Sequence, residues 1–385
     1  MMQFHLVASD VTARLRAAAA APPAVRNEVV CRARAGAPLG VDDLAILWTA
    51  PLDADALYAL ARVARTQRPT RLETFSPLYL TNTCDAECRM CGMRRDNAAL
   101  RRATVDAATI AEQLDVLRRR GMHGVALLTG EYRAERRAPV LAQVNQALRA
   151  TQARAFRHVL INVGSLDADE YSMLLDGLAR RPDGAVAAKL TMCTFQETYS
   201  RPHYARFMGT TADNPRADYD RRLGNFDRAR AAGLRVANPG ILVGLNPDLG
   251  FELVALALHA RHLLDAGLEV YLSVPRLRQI AGRANQRGAD DAAFIRLVSI
   301  LSCGLPEAKI VLTTREPAAM QRLLVPLVTV LSAGSAAVAP YTADGARFPL
   351  DASQFEVIDQ RPFEAVLADH LRPGEAIENF SPPSA

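Results

Sequence analysis

Ser76-Pro-Leu-Tyr-Leu-Thr-Asn-Thr83 reads as an extended, mostly apolar strand, and it runs straight into Cys84-Asp-Ala-Glu-Cys88-Arg-Met-Cys91. Three thiols on one tight loop are one ligand short of a closed metal site. A 4Fe-4S cluster held by three thiolates leaves its fourth iron free to bind a small molecule and pass it an electron. Structural zinc is the alternative, but zinc prefers paired CxxC motifs, or CxxC with two histidines, to complete a tetrahedron. No second CxxC exists, Cys31, Cys193 and Cys303 are scattered, and none of the seven histidines forms an HxxxH pair near Cys84. One three-cysteine cluster held by Cys84, Cys88 and Cys91 is therefore the expectation.

Outward from that strand, short apolar runs recur about every thirty residues, separated by amphipathic stretches, the mark of repeated βα units. In order they are Pro77 to Thr83, Gly124 to Thr129, His158 to Val163, Leu190 to Phe195, Val236 to Leu245, Val270 to Val274, Lys309 to Thr313 and Leu327 to Leu331. Helical patterns fill the gaps, as at Ala108 to Arg120, Arg221 to Ala232 and Phe251 to Ala266. Eight such units predict an α/β fold of the (βα)8 TIM-barrel type rather than an open doubly wound sheet. The eighth run has a second reading, because Val325-Pro-Leu-Val-Thr-Val-Leu331 also suits the end of a helix.

Residues 1–70, rich in alanine and arginine with helical periodicity over Val11 to Ala21 and Val41 to Val63, predict an N-terminal helical extension. The barrel is expected over residues 71–345 and a C-terminal extension over residues 346–385. From about Arg372 that extension, with Pro373, Pro382 and Pro383, lacks periodicity and is expected to be an irregular wrap or partly disordered.

Composition narrows the class. At 385 residues, half of them apolar and 23% charged, the chain can bury a large core. Six cysteines without a leading signal peptide predict a reducing, cytoplasmic setting. The formal charge of +5 comes from dispersed arginines without interleaved aromatic residues, so no nucleic-acid partner is expected. No apolar run reaches the roughly 18 to 20 residues of a membrane span, so no membrane anchor is expected.

Barrel chemistry gathers at the carboxyl ends of the strands. Those ends carry the cysteine loop, Thr129-Gly130-Glu131, Asn162 and Gly164, Gln196-Glu197-Thr198-Tyr199, Ser273, Pro275 and Arg276, Thr314-Arg315-Glu316, and Ser332-Ala333-Gly334-Ser335. A sulfonium ligand chelating the open iron through its amino and carboxylate groups needs a few fixed contacts. Glu131 suits the ammonium, or else is a helix-cap carboxylate. Glu197 can accept both hydrogen bonds of a ribose diol, or form a rim salt bridge. Arg222 can balance the carboxylate, although an arginine in a first helical turn is commonly just solvated. Arg315 can clamp a second, separate acid, plausibly an amino acid, or pair with Glu316. Tyr79 reads as core by periodicity, with a hydroxyl that can reach a substrate amine.

Taken together, Cys84-x3-Cys88-x2-Cys91, Thr129-Gly-Glu131, Phe195-Gln-Glu-Thr-Tyr199, Ser273-Val-Pro-Arg-Leu277 and Thr314-Arg-Glu316 resemble the radical S-adenosylmethionine (SAM) enzymes of the aromatic amino acid lyase group. Glu87-Cys-Arg-Met-Cys91, Leu128-Thr-Gly-Glu-Tyr132, Arg206-Phe-Met-Gly209, Asp218-Tyr-Asp-Arg-Arg222, Asn238-Pro-Gly-Ile-Leu-Val-Gly-Leu245 and Val338-Ala-Pro-Tyr341 resemble its tryptophan branch, which makes 3-methyl-2-indolic acid for thiopeptide antibiotics. The likeness runs from about Arg71 into the tail.

The resemblance implies a radical SAM (βα)8 barrel with one 4Fe-4S cluster, SAM, and a low-potential electron donor such as flavodoxin or ferredoxin. It implies a 5'-deoxyadenosyl radical that takes an amino hydrogen from L-tryptophan, whose carboxyl fragment then migrates to the indole. It assigns substrate contacts to Tyr79, Arg315 and Ser332, and SAM contacts to Met90, Thr129, Gly130, Glu131, Glu197 and Arg222. The alternative within the group is a tyrosine-type lyase releasing p-cresol and dehydroglycine, or a lyase of another aromatic or indole amino acid. Outside it, an iron-sulfur electron carrier or metal-binding scaffold has no use for Arg315, Glu131 and Glu197 on separate strand ends.

Three departures stand out. No cysteine follows Cys303, so the second cluster of the hydrogenase-maturation members is not expected. Met90 replaces the aromatic residue that most such loops place before the third cysteine, and Gly92 stands where the thiopeptide pattern has serine.

Overall fold

The computed structural model describes residues 3–68, 71–283, 288–371 and 375–382. Eight parallel strands close on one another in chain order: β1 Glu73–Tyr79, β2 Gly124–Leu128, β3 His158–Asn162, β4 Leu190–Cys193, β5 Val236–Asn238, β6 Glu269–Ser273, β7 Lys309–Thr313 and β8 Val330–Ser332. The seam is closed by β1 against β8, with Phe75 opposite Ser332. Most of the strands are largely apolar because both faces are covered, one by the barrel interior and one by helices. Phe75, Ala126, Leu160, Cys193, Val236, Tyr271, Val311 and Val330 pack together as one cluster, the filled interior that makes such a barrel a core rather than a pore.

The expected barrel is thus present, with corrections to its parts. β1 starts and ends earlier than Pro77 to Thr83. Its first half was hidden by polar residues, yet Thr74 Oγ1 donates to Leu331 O at 2.7 Å and Ser76 Oγ to Ala333 O at 2.7 Å, which makes them strand residues. Beyond Leu80 the chain leaves the sheet, and Asn82 exchanges hydrogen bonds with Ala103 instead. β5 is three residues rather than Val236 to Leu245, since Pro239 has no N–H to continue the ladder. The eighth run begins as a 3-10 turn, Val325–Leu327, and only Val330–Ser332 is strand.

Four helices precede β1: α1 Ala8–Ala19, α2 Pro23–Arg34, α3 Val41–Thr49 and α4 Ala54–Thr66. The single period expected over Val41 to Val63 is broken after Thr49, and Asp53 caps α4 by accepting from Ala56 N at 2.8 Å. The pattern over Arg221 to Ala232 is likewise two short helices, Tyr219–Leu223 and Asn225–Ala231, meeting at Gly224. Of the tail expected to be irregular, Arg372, Pro373 and Pro383 lie outside the described residues. Residues 375–382 are pinned: Thr74 N donates to Glu378 O at 3.0 Å and His123 N to Asn379 O at 2.7 Å. No helix among the described residues is long and apolar enough to cross a membrane.

The amino ends of the strands carry a buried polar plug. Glu73, 3% exposed, accepts from Tyr271 Oη at 2.6 Å and pairs with Lys309, while Lys309 and Lys189 also reach Glu269. Burial opposes the charge on Glu73, but the Lys309 and Tyr271 bonds outweigh it and hold the carboxyl below its ordinary range. His158 lies beside them, 2% exposed, and burial together with Lys189 pushes it down to about 3. His259, buried under Phe4 and Tyr199, is likewise pushed down to about 3, mainly by burial.

Both histidines titrate lower in the fold than when unfolded, so the unfolded chain binds more protons as pH drops from about 6.5 toward about 3. Stability is therefore lost on acidification, with a slope that approaches about 1.4 kcal/mol per pH unit for each histidine. Urea unfolding at pH 7, 6 and 5 is expected to show this fall, and His158→Gln to reduce the slope. A flat profile over that range would contradict it. The carboxyl of Glu73 adds the same sign only at lower pH.

Candidate functional site

At the opposite, carboxyl ends of the strands one cavity is lined by all three loop thiols, Cys84, Cys88 and Cys91. The cysteine loop is anchored on its neighbours. Asp85 N donates to Glu131 O at 2.8 Å, the Asp85 carboxylate pairs with Arg136, Thr83 Oγ1 meets Tyr132 Oη at 2.8 Å, and Arg89 N donates to Phe207 O at 2.8 Å. Gly130 is required by this docking. A Cβ there would stand 2.1 Å from Thr83 O and 2.7 Å from Cys84 Cβ, so only glycine lets β2's end approach the first cysteine.

The donor set around the sulfurs fits an iron-sulfur cluster. Ala86 N and Glu131 N point at Cys84 Sγ at 3.4 and 3.3 Å, and Met93 N and Gln354 Nε2 point at Cys91 Sγ at 3.4 and 3.5 Å. Such N–H groups aimed at sulfur stabilise thiolate ligands. Without metal, burial pushes Cys84 up to about 12 and raises Cys88 and Cys91 as well, so loading a metal displaces their protons. Among the described residues no three His, Cys, Asp or Glu side chains converge closely enough for a single ion. A cluster instead spreads its thiolates over separate iron corners.

Beside Cys84, a buried ion network joins residues from three loops and the short helix Tyr219–Leu223. Arg222 is not the solvated side chain that its place in a first helical turn allowed: it is 5% exposed, its Nη1 donates to Glu131 Oε1 at 2.8 Å and its Nε to Phe195 O at 2.6 Å. Glu131 is therefore no helix cap: the cap position of the next helix, Ala134–Ala153, is Arg133. Despite burial, Arg222 and Arg216 hold the Glu131 carboxyl below its ordinary range. Arg216, which sequence reasoning missed, bridges Glu131 (3.3 Å) and Glu197 (3.1 Å). Glu197 has φ of 68°, the left-handed region that a non-glycine residue occupies at a cost of order 1–3 kcal/mol. Its strand-end carboxylate is thereby turned into the cavity, whose lining also includes Met90, Thr129 and Asn162. Thr129 spends its hydroxyl locally, on Gly130 O at 2.8 Å.

The other side of the cavity is built by β1, β7, β8 and the C-terminal extension. Arg315 lines it with no carboxylate in ion-pair reach among the described residues. The alternative partner Glu316 is taken by Arg276 and by Arg278, the latter at 2.8 Å. Arg276, expected on the rim, is thus committed to Glu316 and Asp291. Burial pushes the Arg315 guanidinium down to about 10, and it stacks on the Phe355 ring, 3.2 Å from Cζ to centroid. Such a stacked cation, desolvated, is stabilised by about 2 kcal/mol, less than a carboxylate partner supplies. Ser332 sits opposite Thr313 of β7 and lines the same space. Tyr79 is buried, as its periodicity suggests, but its ring edges the cavity and its hydroxyl donates to Gln354 Oε1 at 2.6 Å.

Gln354 and Phe355 were also missed, for they lie in a stretch with no periodicity to place them. Gly92 explains how they arrive. A Cβ there would stand 2.7 Å from Ser353 O and 2.9 Å from Gln354 O, so the departure from serine lets the C-terminal strap pack onto the cysteine loop.

No protein-family model matches the chain. It is 29% identical to the 2-iminoacetate synthase of Escherichia coli strain K12 over 348 residues, 88% of this chain and 86% of that protein. It is 27% identical to the 2-iminoacetate synthase of Salmonella typhimurium over 311 residues, 77% of this chain and 75% of that protein. The fold matches the FeFe-hydrogenase maturase HydG from Carboxydothermus hydrogenoformans with a TM-score of 0.77, covering 95% of this chain and 85% of that one at 22% identity. The chain is a TIM-type barrel with the fold of HydG and with sequence similarity to two 2-iminoacetate synthases along most of its length.

Proposed function

We propose that the chain is a radical SAM lyase that breaks a carbon–carbon bond of an aromatic amino acid, with one 4Fe-4S cluster on Cys84, Cys88 and Cys91. The observation that carries this is a single cavity lined at one side by the three loop thiols and, at the other, by a desolvated guanidinium with no carboxylate in ion-pair reach among the described residues. When bound, the cluster and SAM supply one-electron chemistry, a primary carbon radical able to take a hydrogen atom. The chain's own residues do the rest. Glu131, Glu197, Arg216 and Arg222 present opposite charges on fixed geometry to a zwitterionic ligand beside the thiols. Arg315 takes the substrate carboxylate, Tyr79 lies near its amine, Ser332 lines its pocket, and the apolar floor of Phe75, Ala126, Leu160 and Val311 receives the ring and excludes water.

The preferred substrate reading is tyrosine, cleaved to p-cresol and dehydroglycine. Dehydroglycine is 2-iminoacetate, the product for which both matched synthases are named. A second reading, L-tryptophan rearranged to 3-methyl-2-indolic acid, is favoured by the motifs around Asp218-Tyr-Asp-Arg-Arg222 and Asn238-Pro-Gly240. Anaerobically reconstituted protein with SAM and dithionite is expected to release 5'-deoxyadenosine together with p-cresol from L-tyrosine. An indolic acid from L-tryptophan, with no p-cresol, selects the second reading. Equal nucleoside release with and without either amino acid would sink both.

A further inference from the structure

The side chain of Gln354 touches both halves of the cavity. Its main chain is fixed, since Gly92 N donates to Gln354 O at 2.8 Å and Gln354 N donates to Ala336 O at 3.1 Å. From there the amide reaches Cys91 Sγ with Nε2 (3.5 Å) and Tyr79 Oη with Oε1 (2.6 Å). The two contacts are not independent. A metal-bound thiolate can only accept a hydrogen bond, so the amide must turn its NH2 to Cys91 and its carbonyl to Tyr79. A carbonyl also only accepts, so the one hydroxyl proton of Tyr79 is committed to it. What Tyr79 then offers the cavity is lone-pair density alone, suited to an N–H donor.

We propose that Gln354 is a positioning residue that couples the ligation of Cys91 to the polarity of Tyr79, holding the tyrosine oxygen as an acceptor for the substrate's amino group while donating to the cluster through the Cys91 sulfur. This rests on the amino acid lyase reading above. It also gives the C-terminal strap a specific task, because among the described residues no barrel-strand side chain bonds both Cys91 and Tyr79.

The test uses the full chain, reconstituted anaerobically, with three readouts besides turnover: iron per chain, the cluster's midpoint potential by redox titration without amino acid, and ligand dissociation constants. Gln354→Met keeps the length of the side chain and removes both polar ends. It is expected to load iron as the wild type does and to shift the potential to more negative values, because a hydrogen bond to sulfur has been lost. Affinity for L-tyrosine should weaken about tenfold, the scale of one hydrogen bond. Affinity for 3-(4-hydroxyphenyl)propionate, which lacks the amine, should stay unchanged. In a Tyr79→Phe background the same substitution should cause no further loss of tyrosine affinity. Gln354→Glu, which keeps an acceptor for Tyr79 but brings a negative oxygen to the thiolate, should retain tyrosine affinity.

Wild-type potential and wild-type tyrosine affinity in iron-loaded Gln354→Met would overturn the coupling. So would equal weakening of both ligands, and so would loss of iron in Gln354→Met and Gln354→Glu alike, which makes the residue structural. Absence of a cluster in the wild type itself would instead remove the lyase reading on which the coupling stands.

Discussion

Arg216→Met is expected to destabilise the protein by about 3 kcal/mol, the usual consequence of removing one partner from a buried ion network. Arg216 is 7% exposed and lies between Glu131 and Glu197. Glu131 keeps Arg222 when it is gone, but Glu197 keeps no other ion-pair partner among the described residues and is left charged, in a strained backbone conformation. The pKa of Arg216 is raised well above its ordinary value although burial opposes it, because Cys88, Glu131 and Glu197 surround it. With the metal-free Cys88 thiol holding its proton at neutral pH, the negative neighbours there are Glu131 and Glu197, and deleting the guanidinium exposes the two carboxylates to one another. Urea unfolding checks the loss, and the double variant Arg216→Met with Glu197→Gln should recover part of it, since the orphaned charge is then gone. An Arg216→Met protein as stable as the wild type would mean that water in the cavity screens the carboxylates, and the network would lose its structural role.

That arginine marks where sequence reading stopped. Each of the eight apolar runs overlapped a strand, because parallel strands covered on both faces are rich in apolar residues. The failures lie at strand ends, where polar residues such as Thr74 and Ser76 bond to neighbouring backbone, and where Pro239 ends a run that hydropathy continues. Cys84, Glu131, Glu197 and Arg315 were legible because they follow such runs directly, and barrel geometry then brings them to one rim. Arg216 follows no strand. It sits in Asn214-Pro-Arg216, between two helices, and is delivered by Tyr204 Oη donating to its carbonyl at 2.9 Å and Asn214 Oδ1 accepting from its N–H at 3.1 Å. Gln354 and Phe355 lie further still from any periodic element, and their arrival depends on Gly92, whose meaning is steric and appears only once the strap is folded onto it.

The arginines of the cavity therefore divide into two kinds, and the division predicts opposite outcomes. Arg216 and Arg222 have carboxylate partners in the protein. Arg315 has a ring beneath it and, among the described residues, no ion-pair partner, and burial drives it toward neutrality rather than away from it. A group whose charged form burial disfavours gains little for the fold by being charged, and under the proposed function its charge serves a ligand. Arg315→Met should accordingly leave the urea midpoint unchanged or raise it, in contrast to Arg216→Met.

Its effect should fall on the substrate. Truncating one side of a desolvated carboxylate–guanidinium pair costs about 2–5 kcal/mol of binding, so the dissociation constant for the amino acid should rise by about one and a half to three and a half orders of magnitude. Iron content and SAM binding should stay at wild-type levels, since among the described residues the Arg315 side chain makes no hydrogen bond or ion pair to the thiols or to the Glu131 network. Arg315→Lys should recover only part of the affinity, because a point charge cannot reproduce two parallel hydrogen bonds to a carboxylate. Phe355→Leu should weaken binding less than either, as it removes the platform but leaves the clamp. Equilibrium binding of L-tyrosine and of its amide, which lacks the carboxylate, separates the causes: the amide should bind the wild type weakly and be indifferent to Arg315→Met. If amino acid and amide lose affinity equally in that variant, the arginine shapes the pocket rather than holding an acid, and the anion it was kept for must be sought elsewhere in the cavity.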